Sequence, residues 1–398
     1  MIMKDNRIKQ DIIYVGALDA ERRIFDELIS LPNGTTYNSY IIKGSEKTVL
    51  IDSVDPSKKD VLFDNLDKEG IKKIDYIVAH HGEQDHSGSI PSVLAAYPMA
   101  KVVTNAKCKS ELMDLLLIDE SKFILIEDGQ EISIGSKTLR FIFTPWVHWP
   151  ETMVTYIPED KILFSCDFFG SHLAKDKLYP ENPQDIYIPA KRYFAEIMSP
   201  FRSIIRKNLE KIAGLDIEII APSHGPIHKG KDFIFDCYKD WASEAVKNEV
   251  LIAYVSMHGS TEKMAGYFTD ALKKRKIAVK EFNLANADIG EIAMALVDAA
   301  TAVIGSPTVL AGTHPKAIFA AFLVKALRPK TKFLSVIGSY GWGGKMVEQL
   351  ADMLGSVGAE IIEPVLVKGF PKEADFILLD TLADKILQKH TELGLVKI

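Results

Sequence analysis

Cysteine is scarce in this sequence, and its scarcity excludes several kinds of protein. The 398 residues include only Cys108, Cys166 and Cys237, which are widely spaced and never form a C-x-x-C pair. We therefore expect no disulfide framework and no cysteine-ligated iron–sulfur or rubredoxin-like module within the chain. If the protein carries out redox chemistry, its electrons must come from another protein. The same scarcity favours a reducing, cytoplasmic location.

Long apolar runs and an excess of positive charge are also missing. No run reaches the ~18 residues that a membrane-spanning helix needs, and residues 1–9 are polar and charged, unlike a secretory signal. The 48 basic and 54 acidic residues give a formal net charge of −6, which argues against a nucleic-acid surface. We therefore predict that neither a membrane nor a nucleic acid is a partner.

The length and the strand pattern together predict two domains. A chain of 398 residues is longer than one compact core usually requires. Residues 1–248 alternate short β-branched runs with helical stretches, whereas residues 249–398 repeat the order strand, loop, helix. A polar stretch at 241–249 separates the halves, and the last strand is predicted at 361–367. The second pattern predicts an open parallel sheet with helices on both faces.

The run from His80 to His86 is the most informative local feature. Four metal-competent side chains, His81, Glu83, Asp85 and His86, follow the apolar stretch 76–79. This pattern is typical of a strand that ends and delivers metal ligands from the following loop. Hydrolytic zinc sites of the metallo-β-lactamase kind have histidine where Glu83 stands. A mixture of imidazole and carboxylate suits iron, and a zinc hydrolase needs no redox change.

Three more candidate ligands lie in loops that follow or end apolar runs, namely His148, Asp167 and His224. A single histidine or aspartate in a loop is usually solvated or caps a helix. The cluster at 81–86 raises the odds for these three because they would complete its ligand set. Four histidines and three carboxylates can serve two metal ions when one carboxylate bridges them.

In this order and with these gaps, the seven residues resemble the signature of flavodiiron proteins, also called A-type flavoproteins. The segments 33–38, 148–153 and 221–225 support the resemblance, which covers essentially the whole chain. It implies an α+β domain over 1–248, a metallo-β-lactamase-like αββα sandwich that holds a non-haem diiron centre. It also implies an α/β domain over 249–398, a flavodoxin-like doubly wound parallel sheet.

Carried over residue by residue, the resemblance assigns the seven side chains to two irons. One iron takes His81, Glu83 and His148, the other takes Asp85, His86 and His224, and Asp167 bridges the two ions. The resemblance also places His172 and Tyr193 in the wall of the substrate pocket. His80 is expected to have a packing or supporting role. Gly82 and Phe168 depart from the family pattern, and Phe168 could alter access beside Asp167.

The second half contains three polar loops, each after a predicted strand. The first opens a helix with hydroxyls and backbone N–H groups suited to a phosphate, and it lacks the lysine of a nucleoside triphosphate loop. All three resemble flavodoxin loops that bind FMN. The residues expected to contact FMN are Ser256, Met257, His258, Gly259, Ser260 and Thr261, then Ser306, Pro307, Thr308, Val309 and Leu310, and finally Ser339, Tyr340, Gly341, Trp342, Gly343 and Gly344.

The resemblance implies a reductase. Electrons from an external donor, a rubredoxin or a related carrier, would pass through FMN to the diiron site, which reduces O2 to water, NO to N2O, or both. It further implies a head-to-tail homodimer or a dimer of dimers, in which each FMN lies beside the partner's irons. Two alternatives remain open: a metallo-β-lactamase-type zinc hydrolase fused to a flavodoxin electron-transfer domain, and a non-enzymatic electron carrier.

Overall fold

The computed structural model describes residues 6–396, which divide into two compact units. The first unit comprises residues 6–193 and 201–242, and the second comprises 194–200 and 243–396. The short segment 194–200 thus belongs to the second unit although both of its neighbours in sequence belong to the first. Within residues 6–396, no helix is both long enough and apolar enough to cross a membrane.

The first unit contains seventeen strands and seven α-helices among its described residues. The strands are β1 (Arg7–Lys9), β2 (Ile12–Tyr14), β3 (Ala17–Asp19), β4 (Ile24–Phe25), β5 (Ile29–Ser30), β6 (Thr35–Tyr37), β7 (Tyr40–Lys43), β8 (Thr48–Ile51), β9 (Tyr76–Val78), β10 (Lys101–Thr104), β11 (Phe123–Leu125), β12 (Glu131–Ser133), β13 (Thr138–Phe143), β14 (Met153–Ile157), β15 (Ile162–Cys166), β16 (Ile219–Pro222) and β17 (His228–Lys229). The helices are α1 (Lys59–Lys68), α2 (Gln84–Ser87), α3 (Ile90–Ala96), α4 (Ala106–Leu116), α5 (Tyr187–Tyr193), α6 (Arg202–Ala213) and α7 (Asp232–Ala242).

Two sheets pack face to face in this unit. The first has the order β1-β2-β7-β8-β9-β10-β11, and the second has the order β12-β13-β14-β15-β16-β17. Successive strand residues point to opposite faces, so Val49 joins the core between the sheets with Phe164, while Leu50 packs on the other side with Leu62 of α1. Burial on both faces explains why β8 and β9 are continuous apolar runs.

The second unit is a doubly wound sheet. Its strands are β18 (Lys247–Tyr254), β19 (Ala278–Asn283), β20 (Ala299–Val309), β21 (Gly312–Thr313), β22 (Phe333–Tyr340), β23 (Glu360–Ile361) and β24 (Val365–Lys368). Its helices are α8 (Ser260–Lys274), α9 (Ile289–Asp298), α10 (Pro315–Leu327), α11 (Met346–Leu354) and α12 (Glu373–Glu392). The parallel order is β19-β18-β20-β22, and β23 and β24 both pair with β22. This is the flavodoxin-like strand order.

Two details of the predicted second half are wrong. The strand predicted at 361–367 is two short strands, β23 and β24, because Pro364 lies between them and has no N–H for the ladder. The sequence predicts a polar separator at 241–249, yet β18 begins within it at Lys247. The first three residues of β18, 247–249, are polar, and their side chains are not buried.

Candidate metal centre and ligand-binding loops

The seven predicted metal ligands converge at the ends of neighbouring strands in the first unit. The chain leaves β9 and reaches His81 and Glu83, and Asp85 and His86 lie on the short helix α2. His148 lies between β13 and β14. The remaining two follow strand ends in the same way, Asp167 directly after β15 and His224 two residues after β16.

Three of these side chains form one group around Glu83. The Oε2 atom of Glu83 lies 3.1 Å from His81 Nε2 and 3.1 Å from His148 Nε2. Both nitrogens also approach Oδ2 of Asp167, at 3.5 Å and 3.6 Å respectively. Four ligand-type atoms therefore surround one point.

A second group forms around Asp85. His86 Nε2 lies 3.3 Å from Asp85 Oδ1, and His224 Nε2 lies 3.0 Å from Asp85 Oδ2. Both nitrogens face Oδ1 of Asp167, at 3.1 Å and 3.5 Å. Asp167 thus directs one carboxylate oxygen at each group, which is the arrangement that a bridging carboxylate requires.

Several atoms of the cluster are buried without a hydrogen-bond partner. They are both carboxylate oxygens of Asp85, Nε2 of His86 and Oδ2 of Asp167. Unpaired buried polar atoms are costly, and each such atom in a folded protein needs a physical explanation. Metal ions would satisfy all four atoms, and a set of imidazole and carboxylate donors fits iron.

Hydrogen bonds behind the rings fix two of the histidines. His81 Nδ1 donates to Glu151 Oε1 at 2.6 Å, and His224 Nδ1 donates to the carbonyl oxygen of Thr36 at 2.6 Å. Each bond leaves the Nε2 lone pair directed at the cluster, as in metal-ligating histidines. The sequence prediction missed Glu151 as a partner of His81, although it lies only three residues after His148.

Carboxylates and histidines alternate in the cluster, and each shifts the pKa of its neighbours. Burial alone would raise the pKa of Glu83, but hydrogen bonds from His148 and His81 hold it well below its usual range. Burial also opposes ionisation of Asp167, and His86 nevertheless keeps its pKa low. Despite burial, Asp85 and Asp167 raise the pKa of His86 to about 10. Without a metal ion the site attracts positive charge, which is what a cation site must do.

His172 and Tyr193 both adjoin the cluster. The hydroxyl of Tyr193 donates to Asp167 Oδ1 at 2.7 Å. The ring of His172 lies 4.9 Å from that of Tyr193 and 5.0 Å from that of His224. Its Nδ1 is 2.9 Å from Thr35 Oγ1, a contact that the sequence did not predict. Burial, reinforced by the nearby His224, keeps the pKa of His172 well below its usual range, so the ring is neutral.

His80 and Phe168 have roles outside the ligand groups. Both ring nitrogens of His80 are engaged, Nδ1 with Asp52 Oδ2 at 2.8 Å and Nε2 with Thr155 Oγ1 at 2.7 Å. Phe168 is fully buried, and its ring stacks on that of Phe169 with the centroids 4.0 Å apart. These contacts give His80 a hydrogen-bonding role and Phe168 a packing role.

In the second unit, the polar loops enclose a cavity of about 210 Å³ at the carboxyl ends of the parallel strands. Gly369, which follows β24, contributes to its wall and was not predicted, although the rule that ligands bind at carboxyl strand ends could have found it. The predicted residues in the wall are Ser256, Met257, His258, Ser260, Thr261, Pro307, Thr308, Ser339, Tyr340 and Gly341.

The first loop is shaped to lead into α8. Ser256 Oγ accepts the N–H of Gly259 at 3.1 Å, and Gly259 has a φ of +85°, which a side chain would disfavour. Thr261 Oγ1 lies 3.1 Å from Ser339 Oγ and ties the first loop to the third. The other predicted residues, Gly259, Ser306, Val309, Leu310, Trp342, Gly343 and Gly344, are not among those that form the cavity wall, and Leu310 and Trp342 are exposed.

Comparisons with known proteins cover both units. Residues 35–225 match the family described as ODP family beta lactamase, and residues 252–377 match the flavodoxin family. A nitric oxide reductase of Moorella thermoacetica is 34% identical over 89% of this chain and 90% of its own length. The rubredoxin-oxygen oxidoreductase of Megalodesulfovibrio gigas is 32% identical over 96% of this chain and 98% of its own.

A solved flavodiiron protein from Giardia intestinalis has the same fold, with a TM-score of 0.90 and 26% identity, covering 98% of each chain. The chain belongs to the flavodiiron family. The resemblance seen in the sequence is therefore confirmed, as are the two predicted folds. Membership in the flavodiiron family also explains why a cluster of metal-type ligands and a set of flavodoxin loops occur in one chain.

Proposed function

We propose that this flavodiiron protein is an oxidoreductase that passes electrons from an external donor through FMN to a non-haem diiron site. The diiron site reduces O2 to water, NO to N2O, or both. The arrangement of Asp167 carries the proposal, since each of its carboxylate oxygens faces one of two groups of ligand atoms. The relatives named nitric oxide reductase and rubredoxin-oxygen oxidoreductase support both reactions.

The proposed ligands of the first iron are His81, Glu83 and His148. For the second iron they would be Asp85, His86 and His224, and Asp167 would serve as a ligand to both ions. When bound, the iron pair supplies redox chemistry and open positions for a diatomic substrate. The protein contributes three carboxylates among seven ligands, and this negative charge favours the ferric state through simple electrostatics.

His172 and Tyr193 are proposed to form part of the substrate pocket. Tyr193 orients Asp167 through its 2.7 Å hydrogen bond, so that the second oxygen of the carboxylate faces the first ligand group. The neutral ring of His172 lies beside His224 and adds no positive charge to the pocket.

The seventeen predicted loop residues of the second unit are proposed to hold FMN. The N-terminus of α8 offers backbone N–H groups and the positive end of a helix dipole to the FMN phosphate. Ser256, Thr261 and Ser339 supply hydroxyl groups to the cavity wall, which supports binding of the FMN phosphate at this end of α8. The functional boundary between the two halves is proposed near residue 248, which lies between the two family matches, 35–225 and 252–377.

The proposed partners are O2 or NO as substrate, a rubredoxin or related carrier as donor, and a second copy of the chain. The absence of any C-x-x-C pair in the sequence supports an external donor. The name of the Megalodesulfovibrio relative supports a rubredoxin. We propose a head-to-tail homodimer or a dimer of dimers. A cytoplasmic location is supported by Cys108, Cys166 and Cys237, which are free and buried.

An anaerobic single-turnover experiment tests this function. Purified protein with measured iron and FMN content is reduced chemically and then mixed with O2 or with NO, and consumption of each gas is followed together with flavin oxidation. We expect stoichiometric consumption of at least one gas. Hydrolytic activity without consumption of either gas, in protein that contains two zinc ions and no iron, would instead support the zinc hydrolase alternative.

A further inference from the structure

The turn that carries Asp167 has a strained backbone on both sides of this residue. Cys166 and Phe169 have φ angles of +51° and +70°, in the left-handed region that residues with a side chain disfavour. Such conformations persist only where surrounding contacts enforce them, and they cluster at functional sites. The turn directly follows β15 and directs one oxygen of Asp167 at each group of ligand atoms. Its backbone therefore needs contacts that hold it in place.

Side chains that are distant in sequence bind both polar groups of the Phe169 main chain. The N–H of Phe169 donates to the hydroxyl of Tyr238, on α7, at 3.2 Å. The carbonyl oxygen of Phe169 accepts from Nε2 of His228, on β17, at 3.0 Å. Tyr238 and His228 are both buried, so the loss of either hydrogen bond would leave a polar group unpaired in the interior. We call these two hydrogen bonds the Phe169 clamp.

Ring packing around Phe169 holds the residue in place but does not set the direction of its peptide groups. The Phe169 ring stacks on that of Phe168, with the centroids 4.0 Å apart, and on that of Phe235, with the centroids 4.9 Å apart. Contacts between apolar rings have no donor or acceptor, and they would allow the adjoining peptide groups to rotate. The hydrogen bonds of the clamp fix that rotation, because they act on the N–H and the carbonyl group directly.

We propose that His228 and Tyr238 are positioning residues of the metal site, which hold the Phe169 main chain so that the Asp167 carboxylate can bind two metal ions at once. The inference rests on the proposed role of Asp167 as a ligand to both ions. Tyr193 orients Asp167 at the carboxylate itself, whereas the Phe169 clamp acts on the backbone of the turn. Without the clamp, the turn can relax toward ordinary φ values, and the two carboxylate oxygens no longer face the two ligand groups together.

Binding of Co2+ to the full-length, metal-stripped protein tests the clamp. His228→Leu and Tyr238→Phe each remove one of its hydrogen bonds, and we expect roughly ten- to hundredfold weaker binding of the Co2+ pair, as for other hydrogen bonds that support metal ligands. His228→Gln keeps an N–H donor and should restore most of the affinity. Asn65→Leu is the matched control, because Asn65 is a buried donor to the carbonyl oxygens of Val15 and Gly16 in the same unit. This control should bind Co2+ as the wild type does.

EPR spectroscopy of the dicobalt protein separates a positioning role from a general loss of stability. A carboxylate shared by two Co2+ ions couples their spins and weakens the signal per ion. We expect a weakened signal in the wild type and a stronger signal per ion in His228→Leu, at Co2+ concentrations that fill both sites.

Wild-type affinity and coupling in both His228→Leu and Tyr238→Phe would overturn the proposal, as would equal losses in His228→Leu and His228→Gln. A wild type that binds no Co2+ would overturn the metal site itself, and this inference with it. Coupled ions that neither variant disturbs would count against the clamp alone. The experiment needs no iron, FMN or gas, so failure of the proposed function is distinguishable from failure of this inference.

Discussion

At the residue scale, Glu83 determines the charge of the first ligand group. Its Oε2 atom is equally distant, 3.1 Å, from the Nε2 atoms of His81 and His148. Glu83 therefore places a negative charge at a ligand position between two imidazoles. A histidine at the same position would be a neutral ligand. An anionic ligand favours the more highly charged metal ion, since the Coulomb energy scales with the charge product. The carboxylate consequently suits a metal that must cycle through a ferric state.

The first prediction concerns Glu83→His. We expect less iron per chain or slower gas reduction, with FMN content unchanged, because the substitution removes one negative charge from the metal site and leaves the second unit intact. Iron, flavin and the consumption of O2 and NO are measured on the same preparation. Glu210→His, at an exposed position on α6, is the control. Wild-type rates with both gases in Glu83→His would contradict the charge argument.

The second prediction concerns His390, which links stability to pH. His390 is fully buried, with Nε2 2.8 Å from Thr301 Oγ1 and Nδ1 2.8 Å from Asn248 Oδ1. Burial lowers the pKa of His390 from 6.5 to about 4. The unfolded chain therefore takes up this proton first as the pH falls. The resulting stabilisation is complete above the unfolded pKa and is lost as the pH decreases from about 6.5 to about 4.

Denaturant unfolding of the full-length protein at several pH values measures this contribution. We expect the free energy of unfolding of the wild type to fall more steeply between those two values than that of His390→Gln. The difference between the two slopes integrates to at most roughly 3.5 kcal/mol, because one pKa unit corresponds to about 1.4 kcal/mol. Parallel pH profiles for the two proteins would show that His390 titrates normally in the fold.

At the element scale, the N-terminus of α8 and the loop before it form the proposed phosphate site. The third prediction is that Ser256→Ala combined with Thr261→Ala weakens FMN binding roughly tenfold, since each lost hydrogen bond contributes about 0.5–1.5 kcal/mol. The change is measured by titrating flavin-free protein with FMN and following the flavin fluorescence. Thr269→Ala is the matched control, a buried threonine on the same helix that binds Glu281 instead. Equal FMN affinities in the double variant and the control would contradict the proposed site.

The elements that carry the candidate sites could be predicted from the sequence because their signals are local. The apolar run of β9 ends just before His81, and β15 ends just before Asp167, so each ligand follows its own strand. Parallel strands and their loops repeat in the same way in the second half. A local pattern of strand and polar loop is sufficient to predict where such side chains gather.

Other features depend on contacts between distant residues and were therefore missed. Glu151 lies 70 residues from His81 in sequence, and nothing local to either residue indicates their hydrogen bond. Likewise, Ser199 Oγ, in the segment 194–200, donates to the carbonyl oxygen of Leu327, which is 128 residues away in sequence. Helical periodicity identifies an apolar face without identifying what covers it.

At the scale of the whole molecule, the two candidate sites belong to different units. The ligand cluster is built only from residues of the first unit, and the polar cavity only from residues of the second. Neither unit alone contains both the electron entry site and the reduction site of the proposed reaction. Electron transfer must therefore pass from one unit to another, either within a chain or between chains. A non-enzymatic carrier would need only the second unit and would keep its function after His81→Ala.

The fourth prediction separates transfer within a chain from transfer between chains. Chains with His81→Ala keep the flavin loops, and chains with Ser256→Ala and Thr261→Ala keep the ligand cluster. In a head-to-tail homodimer, a mixed pair contains one intact flavin site facing one intact metal site. The assay contains free FMN well below the dissociation constant of the weakened site, so that site is mostly empty and each variant alone should be nearly inactive. Co-expression should restore roughly a quarter of the wild-type rate, because random pairing gives half mixed dimers with one working pair each.

Co-expression of His81→Ala with His224→Ala chains is the control, because no pairing of these two variants restores a complete metal site. It should remain inactive in O2 and NO reduction under the same conditions. If the flavin-deficient and metal-deficient chains also remain inactive together while forming mixed dimers, electrons move within one chain. If activity returns when the flavin-deficient and metal-deficient chains are co-expressed, and not in the control, the flavin of one subunit must serve the metal site of its partner. Neither chain then has both an occupied flavin site and a complete metal site.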